Sequence, residues 1–211
     1  MAGPEVLCTQ AAEAIKSGDR ELFDKKLRHP RWDPNHAKME SVVLVCLQQP
    51  NALELLQALE SSGVNMGSRY QSLSIVGLAT EALKADVVEW LLEAGRPLPW
   101  GDFSGSPLCL LLEGFSREFS LAEAEQYATV QEQACQIAGL FYRHAPEFHS
   151  LVGSQSLERL ARQLDLPGIE HLWKAMAQEG WDVQTPDEAT QSFFDRLQKE
   201  EPAGFRSFER S

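Results

Sequence analysis

No stretch of about 18 apolar residues runs anywhere in this 211-residue chain, so no segment reads as a membrane-spanning helix. The N-terminal MAGPEVLCTQ lacks the basic segment and apolar core of an export signal. Cysteine is sparse: Cys8, Cys46, Cys109 and Cys135 stand 38, 63 and 26 positions apart, which fits neither a CxxC metal pair nor a dense disulfide framework. A reducing, cytoplasmic home is the expectation. Bases are outnumbered, with 19 Lys and Arg against 31 Asp and Glu, a net charge of −12 and a pI near 4.9. Phosphate backbones are repelled by such a field, so neither a nucleic-acid nor a membrane partner is expected.

Catalytic signatures are missing as well. The chain has no P-loop, no GxGxxG after a strand, no GxSxG elbow and no HExxH. His29/His36 and His144/His149 lack i,i+4 spacing and a nearby cysteine, and His171 stands alone, so they read as solvated or packing residues and no metal or cofactor is expected. Carboxylates such as Glu123/Glu125 and Asp187/Glu188 sit where helices start and complement the macrodipole. Cys46 and Cys135 fall in apolar stripes, the ordinary place for an inert thiol. The expectation is a protein that is not an enzyme.

What is present is a helical pattern in a composition that can support one packed domain, 43% hydrophobic and 24% charged. Leu53, Leu55, Leu56 and Leu59 stripe one segment, and Val87, Val88, Leu91 and Leu92 another. The β-branched run Ser41 to Leu47 (SVVLVCL) is ambiguous alone and helical in context. The helices pair across breaks such as Ser17-Gly18-Asp19, Gln49-Pro50-Asn51 and Leu166-Pro167-Gly168. Between pairs lie longer loops: HPRWDPNH (29–36), SSGVNMGSRY (61–70) and GRPLPWGDFSGS (95–106).

The second helices end at Pro30, Gly63, Gly95, Ala145 and Gly180, leaving intervals of 33, 32, 50 and 35 residues. With the segment ADVVEWLLEAG (85–95), the turn AIKSGDREL (14–22), the loop Asp33-Pro34-Asn35, the opening Ser106-Pro107-Leu108-Cys109 and the ending Gly180-Trp181-Asp182-Val183-Gln184, the chain resembles ankyrin repeats, whose unit of about 33 residues is a β-turn and two helices. The resemblance covers about residues 9–185 and is divergent: Val42-Val43-Leu44-Val45 and Ser74-Ile75-Val76-Gly77 stand where T-P-L-H would, and Leu157 to Leu164 is loosely patterned. A tetratricopeptide signature does not line up.

It implies an all-α, ankyrin-like solenoid of about five helix-turn-helix repeats, at about 9–36, 40–68, 72–101, 104–149 and 153–184, with an extended helix in the fourth. A capping helix over 186–200, opened by Thr185-Pro186-Asp187-Glu188, closes a single domain of 1–201, and 202–211 read as a flexible tail. In the long fourth unit, Ser120-Leu121-Ala122-Glu123 reads as a capping box that starts the extended helix, with Leu121, Tyr127, Ala128, Cys135, Ala138 and Phe141 facing inward.

The aromatic loop residues Trp32, Tyr70, Trp100 and Phe103 carry the functional expectation, because large rigid side chains dominate binding hot spots. The resemblance implies that loop tips and first-helix faces form the binding wall. Candidate contacts are Trp32, Asp33, Asn35, Met66, Arg69, Tyr70, Trp100, Asp102 and Phe103, each indole having local packing against the next repeat as its alternative. The leading expectation is a monomeric, non-catalytic module that binds another protein. Three others stand beside it: an acidic inhibitor that neutralises a basic toxin or nuclease, an effector or enzyme with its chemistry in 113–130 beside Glu113, Glu118 and Glu123, and a structural subunit that self-associates through its C-terminal helix.

Overall fold

The computed structural model describes residues 3–70, 73–99 and 107–144, together with Leu172. Among these the chain is all-α, with eight α-helices and one hairpin of two-residue strands. None of the described helices is long and apolar enough to cross a membrane.

Helix α1 (Pro4–Lys16) starts with proline in its first turn, where the missing N–H costs nothing, and buries Leu7, Cys8, Ala11, Ala14 and Ile15 at helical spacing. The Asp19 carboxylate caps α2 (Arg20–Leu27) by accepting the Leu22 N–H at 2.9 Å. The SVVLVCL run lies in α3 (Met39–Leu47), whose Met39, Val42, Val43, Val45, Cys46 and Leu47 are buried. Burial on nearly all sides overrides the strand preference of its valines. Helix α4 (Ala52–Ser61) buries Leu55, Leu56 and Leu59.

A hairpin pairs β1 (Arg69–Tyr70) with β2 (Leu73–Ser74). Ser74 then caps α5 (Ile75–Glu81), its hydroxyl accepting the Gly77 N–H at 3.0 Å. Helix α6 (Ala85–Glu93) presents Val87, Val88, Leu91 and Leu92 to the interior. Four helix ends close the same way, at Gly18, Gly63, Leu83 and Gly95, all in the left-handed region with φ of 73°, 98°, 50° and 74°. Each donates its N–H three residues back, and the following residue donates five back, as in Leu83 to Thr80 and Lys84 to Ala79.

The fourth pair departs from the sequence expectation. Helix α7 (Pro107–Leu121) runs straight through Ser120, whose hydroxyl donates back to the Ser116 carbonyl at 2.7 Å and caps nothing. The cap moves to Glu123, whose N–H donates to Gln126 Oε1 at 3.0 Å, and a 3₁₀ turn (Ala124–Gln126) leads into α8 (Tyr127–His144). The extra length is thus shared by both helices of the pair. Ala138 and Phe141 face inward and Cys135 is half-buried, whereas Leu121, Tyr127 and Ala128 are exposed, lying beyond the described ends of α5 and α6.

Packing follows chain order. Helix α1 packs on α3, α3 on α5 and α5 on α7, while α4 packs on α6 and α6 on α8. One apolar core threads all four pairs and includes Leu172. Apart from that residue, the fifth unit, the capping helix and the tail lie outside the described residues.

Candidate partner-binding surface

The loops between pairs are stiffened by short polar side chains. Asp33 Oδ1 accepts the Asn35 N–H at 3.0 Å, and Asn65 Oδ1 accepts that of Gly67 at 2.8 Å. Two histidines serve the same end: His29 Nδ1 accepts the Arg31 N–H at 3.1 Å and His36 Nδ1 accepts that of Lys38 at 3.2 Å.

Each loop also leans on the next. Trp32 Nε1 donates to Ser62 Oγ at 3.2 Å, and the Ser62 hydroxyl donates to the Leu59 carbonyl at 2.7 Å. Pro34 packs at Gly63. Farther along, Arg96 lies 3.7 Å from Glu60 and reaches the backbone at Gly67. Three successive loops therefore support one another along one edge.

The candidate residues divide on this edge. Asn35 and Arg69 are exposed, and Asp33 is half-exposed. Trp32 and Tyr70 are half-buried and pack against the core, so each offers only part of its ring. Met66 is a correction: at 1% exposure it fills the core beneath its loop and presents no surface. Trp100, Asp102 and Phe103 lie outside the described residues. Burial pushes the Tyr70 phenol up from its usual pKa, and the charge of Glu40 adds to the shift against a hydrogen bond from Ser68. Near the first loop, Lys38 lies 2.9 Å from Glu5 and holds that carboxyl below its ordinary range by hydrogen bond and charge.

A second concavity, not foreseen from the sequence, lies between α6 and α8. This open groove of about 1160 Å³ has Lys84, Asp86 and Glu89 on one wall, Glu132 and Gln136 on the other, and Pro50 at its edge. Gln133 Oε1 accepts the Ala85 N–H at 3.3 Å and ties the walls together. Both helices, α6 of 9 residues and α8 of 18, contribute to its lining, so the groove is visible only once both have been bounded.

Three acids of the fourth pair stand apart from this groove. Glu113, Glu118 and Glu123 are absent from the groove lining. Arg117 donates to the Glu81 carboxylate at 2.7 Å and to the Glu81 backbone carbonyl at 2.6 Å, holding α7 to the end of α5. Burial and the Glu81 charge raise the Glu113 pKa, with Arg117 opposing. Burial also lifts the Cys8 thiol and pushes Cys46 up to about 12, the opposite of nucleophilic activation. Among the described residues no three His, Cys, Asp or Glu side chains gather as a metal site. No protein-family model, no curated protein and no solved structure matches this chain.

Proposed function

We propose that this chain is a non-catalytic protein-binding module of divergent ankyrin-type repeats, which holds a partner protein along its loop edge and the adjoining first helices. The observation that carries the reading is the interlocking of three successive loops through Trp32–Ser62, Pro34–Gly63 and Arg96–Gly67, with Arg96 also 3.7 Å from Glu60 at the end of α4. Loops braced in this way lose little entropy when a partner settles on them, which favours recognition. Helix pairs that pack in chain order, with the same left-handed cap recurring in the first three, are the arrangement such repeats need. Free thiols at Cys8 and Cys46 suit the cytoplasm as its place of action.

The test uses the exposed part of the edge, where substitutions leave the core intact. Full-length chain and its Asn35→Ala/Arg69→Glu variant are immobilised in parallel, and proteins captured from the native lysate are quantified by mass spectrometry. Proteins lost at least about fivefold from the variant at unchanged melting temperature are the expected partners. Identical capture profiles would remove the loop edge from recognition.

A further inference from the structure

Two contacts show how far the fourth pair projects. Arg117 meets Glu81 at the last residue of α5, and Gln133 meets Ala85 at the first residue of α6. Helix α7 continues four residues past Arg117, and α8 begins six residues before Gln133. At 1.5 Å per residue, the tip formed by residues 118–132 stands about 6–9 Å beyond α5 and α6. It closes a helix pair, whereas the loop edge joins successive pairs, so the two surfaces lie at opposite ends of the helices.

That tip is apolar where it could be polar. Leu121 is 75% exposed and Tyr127 37%, and the other large hydrophobic side chain exposed among the described residues is Val6 on α1. Behind them an aromatic ladder runs inward. Tyr127 stacks on Phe119 with ring centres 4.3 Å apart, and Phe119 meets the buried Phe115 at 5.4 Å. Ladder contacts of this kind hold the exposed ring in one orientation, as an interface anchor needs. The same stretch carries Glu118, Glu123, Glu125 and Glu132, with no Lys or Arg anywhere in 118–132. The base nearest in sequence, Arg117, is engaged by Glu81 and Glu118.

We infer that the tip is a second docking surface, built for a cationic protein segment that brings an apolar patch onto Leu121 and Tyr127 while its Lys and Arg side chains meet the surrounding carboxylates. The charge selects this occupant. A second copy of the chain carries −12 and the same acids, and an anionic membrane repels them equally. Only a basic surface gains from both the apolar centre and the acidic rim. The site is distinct from the loop edge, and it stands or falls without it.

The probe is a fluorescein-labelled amphipathic helix of about 14 Leu and Lys residues, set against an isomer with the same composition scrambled so that no face is apolar. Full-length protein is titrated by fluorescence anisotropy, together with Leu121→Ser/Glu123→Gln/Glu125→Gln. A control, Val6→Ser/Glu21→Gln/Glu54→Gln, removes the same charge and an equivalent exposed hydrophobe elsewhere. All substituted positions are exposed, and melting curves check that each variant folds. The expected result is about tenfold weaker binding for the tip variant, little change for the control, and weaker binding of the scrambled isomer. Equal losses in both variants, or equal binding of both peptides, would show attraction to net charge alone and overturn the proposal. So would sedimentation of the wild type as a dimer that the tip variant abolishes, or tip-dependent binding to phosphatidylserine vesicles.

Discussion

Gly114 of α7 rests directly on the backbone of Glu81, so closely that a Cβ at position 114 would collide with the Glu81 carbonyl oxygen and stand 2.9 Å from its Cα. This contact sets how near α7 approaches α5 and where along α5 it sits. Backbone cannot yield as the end of a long side chain can, so the helices would have to separate. Gly114→Ala should destabilise the fold by about 1–3 kcal/mol despite the better helix propensity of alanine. Urea unfolding followed by circular dichroism measures it, and a gain in stability would show that the two helices have room to move.

Beside that contact lies a pH effect with a definite sign. Burial and the Glu81 charge raise the Glu113 pKa in the folded protein above its unfolded value. The folded state then binds a proton more readily, and stability falls as pH rises from the ordinary carboxylate range through the raised value. Glu113→Gln should therefore stabilise the protein at pH 7, by no more than about 0.5 kcal/mol for a partly exposed group. Its advantage should shrink as pH drops toward 4. Melting curves of both proteins between pH 4 and 8 test this, and an advantage that grows on acidification would reverse the assignment.

Trp32 was a candidate partner contact, and its surroundings give it a structural share. The indole is partly buried against the core, and Nε1 donates to Ser62 on the following loop. Trp32→Ala should cost about 2 kcal/mol, below the range for a fully buried indole. Trp32→Phe, which keeps most of the packing and drops the hydrogen bond, should cost about 1 kcal/mol. A double-mutant cycle with Ser62→Ala isolates that bond. Additive losses would show that the indole and the hydroxyl act separately.

How much of this was legible in the sequence depended on how local the signal was. Val87, Val88, Leu91 and Leu92 announced both a helix and its buried face, since their spacing alone decides which side turns inward. Gly18, Gly63 and Gly95 marked helix ends for an equally local reason. The Ser120 capping box failed because a helix already under way outcompetes a new start, and nothing in SLAE shows that α7 is still running. Leu121 and Tyr127 looked like core residues because periodicity identifies a stripe but not whether a neighbour is long enough to cover it. Met66, in a polar loop, resembled an exposed contact, since only the folded chain shows the loop bending back over it. The groove between α6 and α8 is lined from two helices at once, so no single segment could reveal it.

Leu83 breaks the rule its glycine counterparts follow, and the competition between strain and burial there can be measured. It holds φ at 50°, a conformation that costs an L-residue about 1–2 kcal/mol, while its side chain is 5% exposed. Gly18 occupies the equivalent turn of the first pair, and a Cβ there would meet nothing within 4 Å, so Gly18→Ala reports the strain alone, with an expected loss of about 1 kcal/mol. Leu83→Gly relieves that strain but removes a buried leucine, worth about 2–5 kcal/mol in truncation series, so the protein should lose about 1–3 kcal/mol overall. Equilibrium unfolding of the two variants in parallel decides the balance. If Leu83→Gly were the more stable protein, strain would outweigh packing at this turn, and Leu83 would need a reason for its presence other than the core.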